Sequence, residues 1–413
     1  MVATAYQADN KEAPFMPSSE HVFIQPWLNR DEHWEALVVA CIGGPEACTK
    51  AIAALCQNAE THTLSHGLLW FVPVNTPACL ASTDLWPAER TVFMLRSPAD
   101  PAEDEAWLQD FDPLIQSDHR LAICTHPGRP LPPPAGPWKW MVTQTAHART
   151  TAPYTLMSLA SRMAMVLTGI GNRSDFEWAV ANSAQMMSGE YLLHRNRQAS
   201  TKPDITRVRL LKLLSLVTQD AETKEIEEIF RQEPKLSYSL MRLVNSAALN
   251  LRGSVTSYAQ AIAILGRRQL QRWIQLLVYA DTTGGNQANP LLLQAALRGR
   301  LIELASTYAA PSEEAAPQAD EAFMVGIFSL LDVLLGIPME DILAQLPLAP
   351  NVNRALSTRE GQLGQLLAAT EAAEQSHFDA ASRILTKLGI GCEDYATAQI
   401  DALNWAHSVS QEG

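Results

Sequence analysis

The chain has 413 residues, of which 47% are hydrophobic and 18% are charged. A chain of this length is expected to form about two or three domains, and its apolar share excludes a wholly disordered protein. The formal net charge is -13, whereas proteins that bind nucleic acid need basic surface to displace the counterions of the phosphates. The charge therefore argues against nucleic acid and against anionic membranes as partners.

The cysteines and the apolar runs indicate the cellular compartment in which the protein is expected. The six cysteines are Cys41, Cys48, Cys56, Cys79, Cys124 and Cys392. They form no CxxC pair, so we expect free thiols in a reducing cytoplasm rather than a zinc ribbon or a disulfide framework. Residues 1–20 are polar and are predicted to be a flexible leader, not a signal peptide. Apolar runs such as 36–42 are too short for a membrane span of about 20 residues, which predicts a cytoplasmic protein without membrane insertion.

From residue 21 to about residue 150, short apolar runs alternate with turns and helical stretches. Runs rich in Val, Ile, Phe and Trp are typical of buried strands, and they occur at 21–25, 37–42, 68–75, 91–95, 120–125 and 138–143. Helical patterns lie between some of them, at 45–57 and 103–117. Strands that alternate with helices predict a parallel sheet or a barrel.

From residue 153 onward the pattern is interpreted as helical. Apolar residues recur at three- and four-residue spacing in 207–217, 224–232 and 237–249, as expected for helices that bury one face. The polar segment 195–204 contains Pro203 and is predicted to link two domains.

Two segments in the second half resemble the HDOD domain. Residues 233–246 are EPKLSYSLMRLVNS, and residues 255–273 are VTSYAQAIAILGRRQLQRW. The positions that carry the resemblance are Pro234, Leu236, Arg242, Asn245, Ser246 and Gly266. The resemblance implies an all-helical domain that docks other signalling proteins. HDOD is related to metal-dependent HD phosphohydrolases, but the corresponding stretch 329–332 keeps only Asp332 and offers no His, so no metal site is expected there.

The N-terminal part resembles EAL domains, which are (β/α) barrels that hydrolyse cyclic di-GMP with two metal ions. The segment Gln25-Pro26-Trp27-Leu28-Asn29-Arg30 resembles their opening, and Asn75 resembles the Asn after their next strand. At the positions where the family has metal-binding acids this chain has Met94, Cys124 and Thr125, and Ser188 replaces a Gln of the last turn. A literal Glu35-Ala36-Leu37 occurs about three residues early, since the expected position of the Glu falls on Val38 or Val39.

These resemblances predict an α/β plus all-α protein. We expect a flexible leader at 1–20, a degenerate and shortened (β/α) barrel of EAL type at 21–195, and a helical HDOD domain at 196–413. Mg²⁺ and Mn²⁺ prefer charged oxygen ligands, and the expected positions offer a thioether, a thiol and hydroxyls. We therefore predict no metal, no cofactor and no enzymatic activity.

The predicted function is a signalling or scaffold protein that regulates partners by protein–protein interaction, within cyclic di-GMP or two-component signalling. The predicted partners are response regulators, kinases or diguanylate cyclases, and a homodimer is compatible with the sequence. Two alternatives stay open: a receptor that binds cyclic di-GMP without hydrolysis, and a phosphodiesterase that uses Glu35. The side chains that could contact a nucleotide are Arg96, Arg129, Trp138 and Trp140.

Overall fold

The computed structural model describes residues 20–132, 136–194, 215, 271–272, 275–276, 279, 290–310, 319–346 and 348–411. The chain divides into two compact units. The first comprises Met1–His194 with Glu371–Ile400, and the second comprises Arg195–Thr370 with Asp401–Gly413. The predicted domain limits 21–195 and 196–413 stay a prediction.

Eight strands of the first unit close into a barrel in chain order. They are β1 (His21–Leu28), β2 (Trp34–Ile42), β3 (Leu69–Pro73), β4 (Thr91–Arg96), β5 (Arg120–Cys124), β6 (Trp138–Gln144), β7 (Ala164–Thr168) and β8 (Met186–Ser188). β1 is antiparallel to both of its neighbours, β2 and β8. The other neighbouring strands are parallel to one another. The barrel that the sequence predicts is therefore present, with all eight strands.

The helices of the barrel lie in the connections between its strands. They are α1 (Pro45–Gln57), α2 (Ala59–Leu64), α3 (Asp104–Asp110), α4 (Asp112–Ile115), α5 (Thr145–Arg149), α6 (Pro153–Ala160) and α7 (Arg173–Ala181), with 3-10 helices at Pro77–Leu85, Pro101–Glu103 and Glu190–Leu193. The prediction that the chain is helical from residue 153 onward is wrong, because β7 and β8 lie beyond it. Both strands are short, with five and three residues, and two of the three residues of β8 are Met, which is not among the residues enriched in strands.

Apolar side chains fill the barrel interior. Alternate residues along each strand point inward, and the buried interior cluster consists of Trp27, Ala36, Val38, Phe71, Val92, Met94, Ala122, Val142, Val166 and Met186. The small Ala36 and Ala122 leave room for the large rings of Trp27 and Phe71, whose centroids are 4.9 Å apart. The interior is thus a packed core, as is usual for barrels of this size.

The C-terminal part of the chain is helical. Its helices are α8 (Pro290–Tyr308), α9 (Ala319–Phe328), α10 (Leu331–Leu335), α11 (Met339–Leu343), α12 (Pro350–Thr358), α13 (Gly361–Glu374), α14 (Phe378–Lys387) and α15 (Cys392–Gln411). Among the described residues, no helix combines the length and the apolar character that a membrane span requires.

Helices α8 and α9 of the second unit pack backbone against backbone. A Cβ atom on Gly326 would lie 2.5 Å from the carbonyl oxygen of Arg298 and from the backbone of Gly299, so only glycine allows this approach. Beside the crossing, the buried carboxylate of Glu303 pairs with Arg272 and Arg300. A buried charge is costly without a partner, and these pairs supply one. Arg272 also pairs with Asp320 of α9 at 3.0 Å and so links α8 to α9.

Residues 371–400 pack against the part of β1 that extends past β8. β1 pairs with β2 along its full length but with β8 only through Trp27 and Leu28. On the free edge, Ile24 N–H donates to Gln399 Oε1 at 2.9 Å, and Gln399 Nε2 donates to the Val22 carbonyl at 2.8 Å. One side chain of α15 thereby satisfies two backbone groups that a neighbouring strand would otherwise satisfy.

One face of β1 is buried beneath α14 and α15. Phe23 stacks on Phe378, with ring centroids 5.1 Å apart, and meets Tyr395 edge-on at 5.7 Å. His21 donates from Nε2 to the Ile390 carbonyl at 3.0 Å and accepts at Nδ1 from the Ser382 hydroxyl at 2.7 Å. Burial lowers the pKa of His21, opposed by the Ile390 carbonyl, which favours the neutral ring. These contacts join segments more than 350 residues apart in sequence into one unit.

Replacing Gln399 by Ala is expected to loosen the free edge of β1. Val22 and Ile24 are buried, and each unsatisfied buried backbone group costs about 1–3 kcal/mol. In hydrogen exchange followed by mass spectrometry, the peptide that contains Ile24 should exchange at least about tenfold faster than in the wild type. Gln345→Ala is the matched control, because Gln345 is exposed. Unchanged exchange at Ile24 in Gln399→Ala would contradict the role assigned to this glutamine.

Candidate functional site

The mouth of the barrel is formed where the parallel strands end. Barrels of this kind carry their sites at the carboxyl ends of the strands, on the loops that follow. The residues at those ends are Asn75 after β3, Met94 and Arg96 on β4, Cys124 and Thr125 at β5, Gln144 on β6, Thr168 on β7 and Ser188 on β8. The structure therefore brings to one end of the barrel the predicted positions Asn75, Met94, Cys124, Thr125 and Ser188.

Glu35 lies at the opposite end of the barrel. It is the second residue of β2, next to the turn from β1, and its carboxylate accepts from Asn29 Nδ2 at 3.3 Å. Its side chain is exposed, while its neighbours Ala36 and Val38 point into the interior. The structure thus does not gather Glu35 with the predicted residues of the mouth.

The donor atoms at the strand ends do not fit a pair of hard metal ions. Glu35 is the only acidic residue on the eight barrel strands that the structure describes. Within the described part of the chain, no group of three or more His, Cys, Asp or Glu side chains is arranged to hold a metal ion. Two Mg²⁺ or Mn²⁺ ions side by side need several anionic oxygens, which the strand ends do not provide.

Met94 and Cys124 belong to the interior packing rather than to a polar pocket. Met94 is 8% exposed and lies in the interior cluster, against which Cys124 packs. Burial raises the pKa of the Cys124 thiol to about 11, although the nearby charge of Arg96 opposes the shift. The thiol is therefore protonated at neutral pH, and thiolate chemistry at this position is disfavoured.

Thr125 belongs to a cluster of polar side chains with Thr143 and His147. Its hydroxyl donates to Thr143 Oγ1 at 2.7 Å, and His147 Nδ1 lies 3.3 Å from Thr125 Oγ1 and 3.4 Å from Thr143 Oγ1. Thr143 and His147 are both buried. Since Cys124 and Val142 point inward, their neighbours Thr125 and Thr143 point away from the interior. The hydroxyl of Thr125 thus fixes the start of α5 against the barrel.

Glu190 is a residue of the mouth that the sequence analysis missed. It follows Ser188 and Gly189 at the end of β8, and its Oε2 atom is buried without a hydrogen-bond partner. Burial raises the pKa of Glu190, and the polar groups of Ser188 and of the Ile170 backbone oppose the shift only in part. The covered Oε2 atom is an acceptor that no described residue satisfies. The only signal in the sequence was its position two residues after Ser188, which replaces the Gln of the family's last turn.

Of the four side chains predicted to contact a nucleotide, Arg96 lies at the mouth and is exposed. Arg129 instead forms a two-pronged ion pair with Asp104, with both nitrogen–oxygen distances 2.6 Å. Trp138 stacks on Trp107 with centroids 6.0 Å apart, and Trp140 packs edge-on against Phe71 in the interior. Of these four side chains, Arg96 is therefore the exposed cation on a strand end at the mouth.

The predicted HDOD positions Pro234, Leu236, Arg242, Asn245, Ser246 and Gly266 lie outside the described residues. Asp332 is described and belongs to α10, where its carbonyl accepts from Gly336 N–H at 2.9 Å. Its charge acts on the buried Tyr279, whose pKa burial raises well above its usual value. Tyr279 in turn donates to the Ile327 carbonyl at 2.5 Å. Asp332 thus lies beside a structural tyrosine of the second unit.

A family model described as the HDOD domain matches residues 203–331. The chain therefore carries an HDOD domain in this range, as the sequence resemblance predicts. Together with the closed barrel of eight strands and the helical C-terminal part, this match confirms the predicted fold class.

Two curated proteins are similar to part of the chain. One is named cyclic di-GMP phosphodiesterase CdgJ, from Vibrio cholerae serotype O1; it is 30% identical over 222 residues, covering 51% of this chain and 50% of that protein. The other is the uncharacterized protein YuxH of Bacillus subtilis; it is 26% identical over 246 residues, covering 58% of each. The chain thus spans about half the length of the curated relatives it matches.

Solved structures of EAL-domain proteins share a weak likeness with the chain. The YkuI protein of Bacillus subtilis, crystallised with substrate c-di-GMP and calcium, is 12% identical, with a TM-score of 0.32 over 59% of this chain and 71% of that chain. A likeness of this size carries no argument, and the barrel rests on its own strand pairing.

The comparison with CdgJ corrects the prediction that the chain is not an enzyme. A relative 30% identical over half the chain is named a phosphodiesterase, which points to enzymatic activity among the relatives. The prediction was wrong because it rested on the acids at the strand ends alone. Loop residues also reach the mouth of such a barrel, as Glu190 does, and they escape a count of strand positions.

Replacing Glu190 by Gln is expected to stabilise the protein near neutral pH. Because the folded-state pKa is raised, the unfolded chain ionises first as pH rises above about 4.5, and stability is lost from there up to the folded-state pKa. The variant should gain on the order of 1 kcal/mol at about pH 7.5 and clearly less at about pH 4.5. Urea unfolding at both pH values measures this, with the exposed Glu105→Gln as control. An equal gain at both pH values would contradict the buried charge as the cause.

Proposed function

We propose that the chain is a cyclic di-GMP signalling protein that regulates partner proteins by direct contact. In this proposal the mouth of the barrel receives the nucleotide, and the HDOD-containing helical part binds signalling proteins such as response regulators, kinases or diguanylate cyclases. The observation that carries the proposal is the presence of a closed eight-stranded barrel and an HDOD domain on one chain.

The character of the mouth supports nucleotide binding there. Arg96 offers an exposed guanidinium, which suits phosphate because its planar set of N–H groups can bind two oxygens at once. Gln144 and Thr168, both partly exposed at neighbouring strand ends, add groups that donate and accept hydrogen bonds. Glu190 Oε2 is a further acceptor. A cyclic dinucleotide presents both phosphates and hydrogen-bonding base edges, which this set of groups matches.

Hydrolysis of cyclic di-GMP is a second candidate function. The observation that favours it is the similarity to CdgJ, which is named for that activity. The strand ends do not fit two hard metal ions, so we derive no step of hydrolysis through such ions.

Binding of cyclic di-GMP should depend on Arg96. We expect heat of binding in isothermal titration of the full chain, with Mg²⁺ or Mn²⁺ and without. Arg96→Ala should weaken the affinity at least about tenfold, because charge-assisted hydrogen bonds contribute about 1.5–3 kcal/mol. Arg120→Ala is the matched control, since Arg120 is also an exposed arginine of a strand but lies at the start of β5, at the other end of the barrel.

Three outcomes decide between the candidates. Binding that survives in Arg120→Ala and weakens in Arg96→Ala supports nucleotide recognition at the mouth. Metal-dependent conversion of the dinucleotide, followed by chromatography, supports the phosphodiesterase instead. Absence of binding and of conversion would refute the nucleotide part of the proposal.

The partner part of the proposal is tested with purified proteins. We expect the immobilised full chain to retain at least one response regulator, kinase or diguanylate cyclase of the source bacterium at least about tenfold above a control bait, a difference of about 1.4 kcal/mol in binding. Added cyclic di-GMP should change the retained amount, because a ligand that binds two states unequally shifts their populations. Retention of none of the three classes would contradict this part.

A further inference from the structure

His21 is a buried histidine that joins the two parts of the first unit. It is the first residue of β1 and is 3% exposed. Its hydrogen-bond partners, Ser382 of α14 and Ile390 between α14 and α15, lie 361 and 369 residues further along the chain. The ring therefore connects β1 to the C-terminal segment 371–400 and is not part of a local contact.

The hydrogen bonds of the ring fix its tautomer. The Ile390 carbonyl can only accept, so Nε2, which lies 3.0 Å from its oxygen, carries the proton and donates. Nδ1 is then an acceptor, and the Ser382 hydroxyl donates to it at 2.7 Å. The C-terminal segment thus satisfies both nitrogens of a neutral ring.

Protonation of the ring disturbs this arrangement in two ways. A proton on Nδ1 turns the acceptor into a donor, so the Ser382 hydroxyl must turn its hydrogen away from the ring. The positive charge also arises beside the rings of Phe23 and Tyr395, whose centroids lie 6.3 and 6.1 Å from that of His21. A buried charge is costly unless a group of opposite charge pairs with it.

Among the described residues, no carboxylate forms a hydrogen bond or an ion pair with the ring. Glu374 at the end of α13 acts on the pKa of Tyr395, whereas only burial and the Ile390 carbonyl act on the pKa of His21. Burial raises the pKa of Tyr395 and of Cys392, so both side chains are neutral in weak acid. The thiols of the other neighbouring elements, Cys41 of β2 and Cys48 of α1, do not act on the ring either.

The charged residues nearest in sequence to the contact are exposed. They precede β1 or belong to α14 and α15: Glu20, Asp379, Arg383, Lys387, Glu393 and Asp394. Water and salt screen exposed charges, so these residues offer little compensation for a proton on the covered ring.

We propose that His21 is a pH-sensitive latch, which holds residues 371–400 on β1 while the ring is neutral and releases them when the ring is protonated. The geometry that carries the proposal is a covered imidazole whose two nitrogens bond to a distant segment through a hydroxyl and a carbonyl. Release would also withdraw Gln399 from the backbone groups of Val22 and Ile24. Acid would therefore open the free edge of β1.

The direction of the pH dependence follows from the lowered pKa of His21. Because the released ring takes up a proton more readily than the docked ring, docking is complete above the ordinary histidine pKa of about 6.5. It weakens as pH falls from there toward the lower pKa of the docked ring. At about pH 5.5 a single histidine can weaken docking by no more than about tenfold, because the released ring gains one proton per pH unit.

Hydrogen exchange of the full chain, followed by mass spectrometry at about pH 7.5 and about pH 5.5, tests the latch. Rates are corrected for the intrinsic effect of pH, so that only protection by structure is compared. Protection of peptides from 20–28 and 378–400 should fall at least about threefold, and at most about tenfold, on acidification. Peptides from β4 and β5 should keep their protection.

Two histidine variants identify the group that titrates. A Gln side chain can donate to the Ile390 carbonyl and accept from Ser382 but cannot be protonated, so His21→Gln should show equal protection at both pH values. His377→Gln is the matched control, because His377 is an exposed histidine of the same segment. This variant should keep the pH dependence of the wild type.

The proposal is overturned if wild-type protection of the two regions is equal at both pH values, or if His21→Gln loses protection in acid as the wild type does. If His21→Gln is released already at about pH 7.5, carbon-13 NMR of histidine-labelled wild type decides. The signal of His21, which the variant lacks, should titrate below about 6.5 and together with the loss of protection. Titration at or above that value overturns the latch.

Discussion

The unpaired edge of β1 is the constraint on which the rest of the first unit depends. An antiparallel strand inserted into an otherwise parallel barrel runs past the end of β8, so backbone groups of Val22 and Ile24 on the edge away from β2 have no strand beside them. Buried backbone groups require partners, and Gln399 supplies them from a helix that lies 375 residues further along the chain. The C-terminal residues 371–400 therefore complete the barrel unit, which explains why this unit is built from two separate parts of the sequence.

The barrel mouth combines an apolar floor with polar groups supplied from strand ends and loops. Met94 and Cys124 pack against the apolar interior at the mouth. Arg96 and Glu190, which follow or end strands at the same mouth, have side chains of opposite formal charge. Burial weakens the tendency of Glu190 to ionise, while an arginine keeps its charge. Such a mouth is better suited to hydrogen-bonded recognition of an anionic molecule than to concentrating cations. Hydrolysis is a second candidate because the chain is similar to CdgJ. Nucleotide binding and nucleotide hydrolysis would require different residues of the mouth.

Local patterns of apolar residues predicted much of the fold. The features that they did not predict depend largely on contacts between residues that are distant in sequence. The apolar runs predicted β1 to β6, and the helical pattern at 45–57 predicted α1 with its observed bounds. β7 and β8 have only five and three residues, and β8, with two Met, lacks the β-branched and aromatic residues that are enriched in strands. In the site, Met94, Cys124 and Ser188 were found because a family pattern marked them. Glu190 was missed because its role depends on burial, and Gln399 was missed because its role depends on contact with a distant backbone. A single sequence shows neither of these features.

The cysteines illustrate the same limit from another side. Six cysteines without CxxC spacing gave no indication of where each thiol lies in the fold, and four of the described free cysteines are buried. The sequence spacing of two cysteines predicts their relative position only when the intervening chain is regular. Between Cys41 and Cys48 the chain reverses direction at Gly43. The turn at Gly43, which connects β2 to α1, also marks the end of the β1–β2 hairpin. The other strand of this hairpin, β1, carries the free edge. Cys41 pairs with Val22 in the β1–β2 ladder, so the position of the turn at Gly43 and the contact of α15 with β1 depend on the same hairpin geometry.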